Sequence, residues 1–185
     1  MVVQYRANPA FPLPTLRWEP SPNYSARGSA AINLIVIHDT EGSFNGTVEW
    51  FGGLASHVSA HLILKEDGSE AVQMVGFRQK AWACCWYNSR SINIEMAGFE
   101  KKGFSEEEWH SAAAITAYLC HRYKIPVRWA KAGSGAGIAQ HRDLGRLGGG
   151  HTDATSDEGK WLWFMGLVAK TFAENKWPIY SWGRE

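Results

Sequence analysis

The 185-residue sequence is short of several things. It has three cysteines, Cys84, Cys85 and Cys120, an odd number with one adjacent pair and no C-x-x-C. That is not a disulfide framework, and it fits reduced thiols in a protein made in a cytosol. Charge of one sign is also missing: 19 Lys and Arg stand against 18 Asp and Glu, a formal net charge of +1. A dedicated nucleic-acid binder usually carries a clear basic surplus, so no nucleic-acid partner is expected. No apolar run approaches the roughly 18 residues that cross a bilayer, so no membrane insertion is expected. The opening MVVQYRANPAFPLP lacks the apolar stretch of a secretion signal, which predicts synthesis in the cytoplasm without a signal peptide. Repeats and low-complexity tracts are absent too.

What is present is an ordinary core and an unusual garnish. Hydrophobic residues make up 45% of the chain, enough for one domain that needs no staples. Glycine (19) and tryptophan (10) are both abundant for this length. Together they suit either a loop-built surface for a flat or sugar-like ligand or a bulky core.

Residues 1–30 are rich in Pro, Asn and Ser and read as an extended arm laid over the domain. Asn33 to His38 is a short apolar run closed by a histidine, the pattern of a buried central strand. Thr47 to Leu54 reads as a short helix. From Val58 to Lys65 apolar and polar residues alternate, and Asp67-Gly68 then signals a hairpin into a return strand over Glu70 to Val75. Ser91 to Ala97 is a further strand. Ser105 followed three residues later by Glu108 is a capping box opening a helix with an apolar stripe, which Ile125-Pro126 ends. Ala136 to His141 is again a strand closed by histidine, Leu144 to Thr155 is a glycine-rich loop, and Trp161 to Asn175 is a last helix. Interleaved strands and helices predict a single α/β domain over 31–175. It has a mixed central sheet flanked by helices and a short tail at 176–185.

The seven histidines are not equivalent. His110 and His121 fall on the helix flank and read as solvated. His57 is in a loop, structural or on the surface. His61 shares a strand face with Ser59 and either looks into a site or is a satisfied sheet histidine. His38 and His141 each close an apolar strand and precede a polar loop, and strand ends are where α/β sheets assemble ligand sites. Two imidazoles meeting there can begin a zinc site, which needs a third protein ligand. His151, Asp153 and Asp157 are all available downstream. The alternative is two ordinary histidines, each hydrogen-bonded at its strand end.

These residues carry a resemblance. Ser21-Pro-Asn-Tyr24, Ile35-Val-Ile-His-Asp-Thr-Glu-Gly42, Val58-Ser-Ala-His61, Asp67-Gly68, Ala81-Trp82, Asn88-Ser-Arg-Ser-Ile-Asn-Ile-Glu95, Gln140-His-Arg-Asp143 and His151-Thr-Asp153 run in one order over about 20–165. In that order they resemble the zinc-dependent type 2 N-acetylmuramoyl-L-alanine amidases, a group that includes phage lysins and shares its fold with peptidoglycan recognition proteins. The resemblance implies Zn2+ held by His38, His141 and Asp153, with the zinc site at the strand ends. It implies Glu95 facing the metal-bound water and His151 standing where many relatives carry lysine. Trp82, Asn88 and His61 are the implied substrate-binding residues. The implied partner is peptidoglycan, glycan strand and stem peptide, met by a monomer acting on the bacterial wall after release. Three departures qualify the match. The loop before Asp153 contains Gly148-Gly-Gly150, Ala154-Thr155 stands where Pro-Gly is usual, and histidine replaces lysine at 151. Asp157 is therefore a fallback third ligand, and His38, His141 and His151 an alternative all-imidazole set.

Overall fold

A computed structural model describes residues 12–175, 177 and 182–185. The start of the expected arm (1–11) and much of the tail (176 and 178–181) lie outside the described residues. Among the described residues there are eight strands: β1 Thr15–Trp18, β2 Tyr24–Ala26, β3 Leu34–Asp39, β4 Leu62–Leu64, β5 Glu70–Gln73, β6 Gln79–Ala81, β7 Ser91–Met96 and β8 Gly137–Gln140. Three helices accompany them, α1 Phe44–Gly52, α2 Glu106–Tyr123 and α3 Glu158–Glu174, with short 3-10 segments between. Six strands form one sheet in the order β1-β5-β4-β7-β3-β8, and β2 pairs with β6 in a small antiparallel sheet. The α/β class and the mixed sheet agree with the sequence reading. The antiparallel pair in the large sheet is the expected hairpin β4–β5. Its turn needs glycine at 68, where φ is +68° and a Cβ would lie 2.5 Å from the Glu107 carbonyl oxygen.

Strand alternation divides the sheet into two faces. Ile35 and Ile37 of β3, Ile92, Ile94 and Met96 of β7, and Leu62 and Leu64 of β4 join one core with Trp109 and Ile115 of α2 and Phe164 and Val168 of α3. Burying each such large side chain contributes about 1.5–3 kcal/mol. Residues of the opposite parity, Leu34, Val36 and Ala139, pack with Cys84, Tyr87, Ala130 and Leu144, which come from loops and short 3-10 segments and not from the two long helices. His38, Asn93 and Glu95 share that second parity, as does His141 two residues beyond Ala139. The chemistry-bearing side chains are therefore placed away from the two long helices.

Several bounds differ from expectation for local reasons. The first helix begins early because Ser43 caps it, accepting from the Gly46 N–H at 3.3 Å. Only three residues of the expected 58–65 strand lie in the ladder. Ser59 N–H goes instead to the Trp82 carbonyl. α2 is buried all round from Ala112 to Cys120, not along one stripe, because it lies between the sheet and α3. Ser105 does cap α2, but Glu108 turns inward; it is 1% exposed and its Oε1 has no partner. Within the expected arm, Thr15–Trp18 adds to the sheet edge parallel to β5. No helix of the described residues is long and apolar enough to cross a membrane.

Candidate active site

The site lies where the parallel strands β7, β3 and β8 end side by side. His38 is the last but one residue of β3 and is in register with Glu95 of β7. His141 follows β8 directly and opens the 3-10 segment His141–Gly148. Asp153 comes from the loop beyond, pinned by Arg142 N–H to the Asp153 carbonyl at 2.7 Å and by Thr155 N–H to Gln140 Oε1 at 2.9 Å. Asp39 N–H adds a bond to Asp153 Oδ2 at 3.2 Å.

Among the described residues, His38, His141 and Asp153 form the one group of three or more side chains that can hold a metal ion. His38 Nδ1 lies 3.0 Å from His141 Nδ1 and 3.7 Å from Asp153 Oδ2, and His141 Nδ1 lies 3.3 Å from Asp153 Oδ1. Donors around a tetrahedral zinc stand roughly 3.3–3.5 Å apart, so the spacing fits such an ion. The donor set fits as well. His141 Nε2 is 2.8 Å from the Gly148 carbonyl, which can only accept, so that nitrogen carries the proton. His38 Nε2 lies 3.0 Å from Asn93 Oδ1, again an acceptor. Both Nδ1 atoms then present lone pairs to each other and to a carboxylate, an arrangement that calls for a cation between them.

Electrostatics follow the burial. His38 is pushed down to about 3 by burial and then by His141, so it is neutral near pH 7. Burial raises the Asp153 carboxyl, but the adjacent His141 and His38 rings outweigh it and bring it to about 2. Glu95 is raised well above the usual carboxylate range, first by burial and then by Asp153 and Asp39. Its Oε1 stands 3.8 Å from His38 Nδ1.

A cleft of about 170 Å³ opens over this group, lined also by Phe51, Val58, Ser59, Trp82, Ala83 and His151. His151 stacks on His141, ring centroids 4.3 Å apart and 15° between planes, with its side chain 61% exposed. Its Nδ1 is 4.0 Å from Asp153 Oδ1. Trp82 is half-buried and anchored by its Nε1–H to Ser25 Oγ at 3.1 Å. The other candidates lie elsewhere. Asn88 folds back, its Oδ1 accepting from the N–H groups of Ala83 and Cys84 at 3.1 and 2.6 Å. His61 is fully buried, its Nδ1 accepting from Asn93 N–H at 3.1 Å and its Nε2 3.0 Å from Arg27. Asp157, the fallback ligand, is the N-cap of α3 and accepts from Lys160 N–H at 3.0 Å.

Sequence reading missed Asp39. It lines the cleft, one oxygen accepting from Glu100 N–H at 2.6 Å and the other buried without a partner. Burial, with the charge of Asp153, pushes it up to about 6 against that bond. No sequence signal marks it, because alternation assigns it to the face away from His38.

Comparison with known proteins bears on this site. The chain is 30% identical over 109 residues to N-acetylmuramoyl-L-alanine amidase A of Achromobacter lyticus, covering 57% of this chain and 61% of that protein. It thus spans less than two thirds of that relative's length. It is also 30% identical over 131 residues to the 1,6-anhydro-N-acetylmuramyl-L-alanine amidase AmpD of Citrobacter freundii, covering 56% of this chain and 70% of that one. In fold it is similar to the Staphylococcus aureus hydrolase AmiA, solved with its ligand. The TM-score is 0.70 at 17% identity, with 89% of this chain and 86% of that one covered. The family described as N-acetylmuramoyl-L-alanine amidase matches residues 28–160, the span that holds every residue of the cleft. The chain belongs to the N-acetylmuramoyl-L-alanine amidase family.

Proposed function

We propose that the protein is a zinc-dependent hydrolase of peptidoglycan. It cuts the amide between the lactyl group of N-acetylmuramic acid and L-alanine, and works as the catalytic part of a phage-type wall lysin. The observation that carries this reading is the facing of His38 Nδ1, His141 Nδ1 and an Asp153 oxygen beside a buried Glu95. Family membership supplies the substrate class, and the names of the relatives agree with it.

Amides are poor electrophiles, and water is a poor nucleophile at neutral pH. His38, His141 and Asp153 would hold the zinc ion, which when bound would supply Lewis-acid chemistry, polarising an amide carbonyl and lowering the pKa of water from about 15.7 toward about 7. Glu95 supplies the proton transfers. Its raised pKa suits a group that takes a proton from water and returns it to the departing alanine nitrogen. Seated in a parallel strand pair, it cannot drift from that position. His151, as imidazolium at the cleft mouth, donates to the oxyanion of the tetrahedral intermediate; losing one such donor typically costs about 3 kcal/mol. The Trp82 ring offers a flat apolar wall to sugar or stem peptide.

The test is mass spectrometry of purified sacculi digested by the full chain, with metal analysis of the same sample. The expected result is free stem peptides beginning with L-alanine, and about one zinc per chain. Release of such peptides from soluble 1,6-anhydro-muropeptides but not from sacculi would overturn the lysin part alone. Zinc bound with no cleavage of either would leave a binding module or a hydrolase of another amide.

A further inference from the structure

Asn93 sits in the middle of β7, fully buried, and every polar end of it is used. Its backbone N–H donates to His61 Nδ1. Its side-chain Nδ2 donates to Ser91 Oγ at 3.1 Å, and its Oδ1 accepts from the Cys84 thiol at 3.2 Å. The same Oδ1 lies 3.0 Å from His38 Nε2. Cys84 is itself buried and also touches Ser91 Oγ at 3.3 Å, so the two neighbours set which way the amide points. The oxygen faces the histidine.

A neutral imidazole carries one N–H, on one nitrogen or the other. An acceptor at Nε2 draws the proton there and leaves Nδ1 bare. For His141 the Gly148 carbonyl does this, and a main-chain carbonyl cannot be turned into a donor. For His38 the task falls to a side chain. Without that acceptor, His38 is free to carry its proton on Nδ1 and donate it to His141 Nδ1, 3.0 Å away. The pair would then satisfy itself with a neutral hydrogen bond in the space a cation needs.

We propose that Asn93, oriented by Cys84 and Ser91, is a positioning residue that locks His38 in its Nε2–H tautomer and so keeps Nδ1 open to a metal ion. This rests on the metal-centre reading above. Outer partners of this kind are typically worth about 10–100-fold in metal affinity. Asn93 belongs to neither the cleft lining nor the ligand group, so its effect must pass through the ring of His38.

The experiment uses the full chain with 15N-labelled histidine. NMR of the metal-free protein reads the tautomer of His38, and competition with a chromophoric chelator reads the Kd for zinc. In the wild type His38 is expected to carry its proton on Nε2. Asn93→Leu, similar in volume but with no acceptor, is expected to move that proton to Nδ1 and to raise the zinc Kd about 10–100-fold. Asn93→Asp restores an acceptor and is expected to restore both readings. An unshifted tautomer or an unchanged Kd in Asn93→Leu overturns the proposal. If Asn93→Leu does not fold, the wild type and Asn93→Asp decide, since a proton on His38 Nδ1 in either overturns it. A wild type that binds no zinc would remove the metal-centre reading alone, while the tautomer data would still judge Asn93.

Discussion

His38 and Glu95 are register partners across two parallel strands, and their side chains come within 3.8 Å on one face of the sheet. The strand ladder, not a loop, sets this distance. A group that must hand protons to and from a fixed point gains most from such a mounting.

Glu95→Gln keeps the shape of the side chain and would remove the proton transfer proposed for it. Turnover of sacculi is expected to fall by about 10²–10⁴-fold, the usual worth of general acid–base catalysis. Zinc content should remain at the wild-type level, because Glu95 is outside the three-ligand group. Parallel measurement of peptide release and bound zinc checks this; a variant with full rate would remove Glu95 from the mechanism.

On the proposed reading, an ion seated among three mutually facing acceptors would stabilise the fold as well as serve the reaction. Binding to the folded state alone adds about 2.7 kcal/mol when free zinc is a hundredfold above Kd. A strong chelator is therefore expected to lower the wild-type Tm, and zinc to restore it. Asp153→Ala should show no zinc-dependent rise. Scanning calorimetry with and without chelator measures the difference, and equal Tm values in all wild-type samples would deny a metal at this position.

How much of this could be read beforehand depends on the range of the signal. The two strand-ending histidines, and the alternation that sets Asn93 and Glu95 opposite Ile92, Ile94 and Met96, are local patterns, and the fold keeps them. The placement of β1 is not local. Its partner β5 begins at Glu70, and nothing near Thr15 names that partner. Side-chain commitments were equally hidden. Asn88 spends its oxygen on two loop N–H groups, and His61 is enclosed by Arg27, Gln79 and Asn93. Composition shows such residues as polar and available, and only the packed structure shows them taken.

Glu108 gives a pH dependence separate from the cleft. Burial, helped by Glu66, pushes its carboxyl up to about 9. Between its ordinary pKa of 4.5 and that value the folded chain holds a proton that the unfolded chain has lost. Stability linked to this group is thus fully present below pH 4.5. It falls as pH rises, by up to about 1.4 kcal/mol per pH unit, until pH passes about 9. Glu108→Gln removes that loss. Urea unfolding at pH 5, 7 and 9 is expected to show the variant gaining on the wild type at each step. A constant difference across the three would mean that Glu108 does not titrate in this way.

His151 is the residue whose role divides two readings of the site. Its ring lies nearly parallel over His141 and its side chain is mostly exposed, which suits a donor at the cleft mouth better than a ligand. A ligand must be held, and the group of three ligand atoms within 4.8 Å of one another does not include it. Lysine brings a positive charge at neutral pH and cannot mimic a neutral imidazole ligand. His151→Lys is therefore expected to bind zinc as the wild type does and to keep activity. The alkaline limb of its rate profile should move upward, because lysine holds its proton to higher pH than histidine. His151→Ala should also keep zinc, but lose roughly 10²-fold in kcat, the low end for an oxyanion donor. Zinc lost from both variants would transfer His151 to the ligand set, and the oxyanion would need another donor.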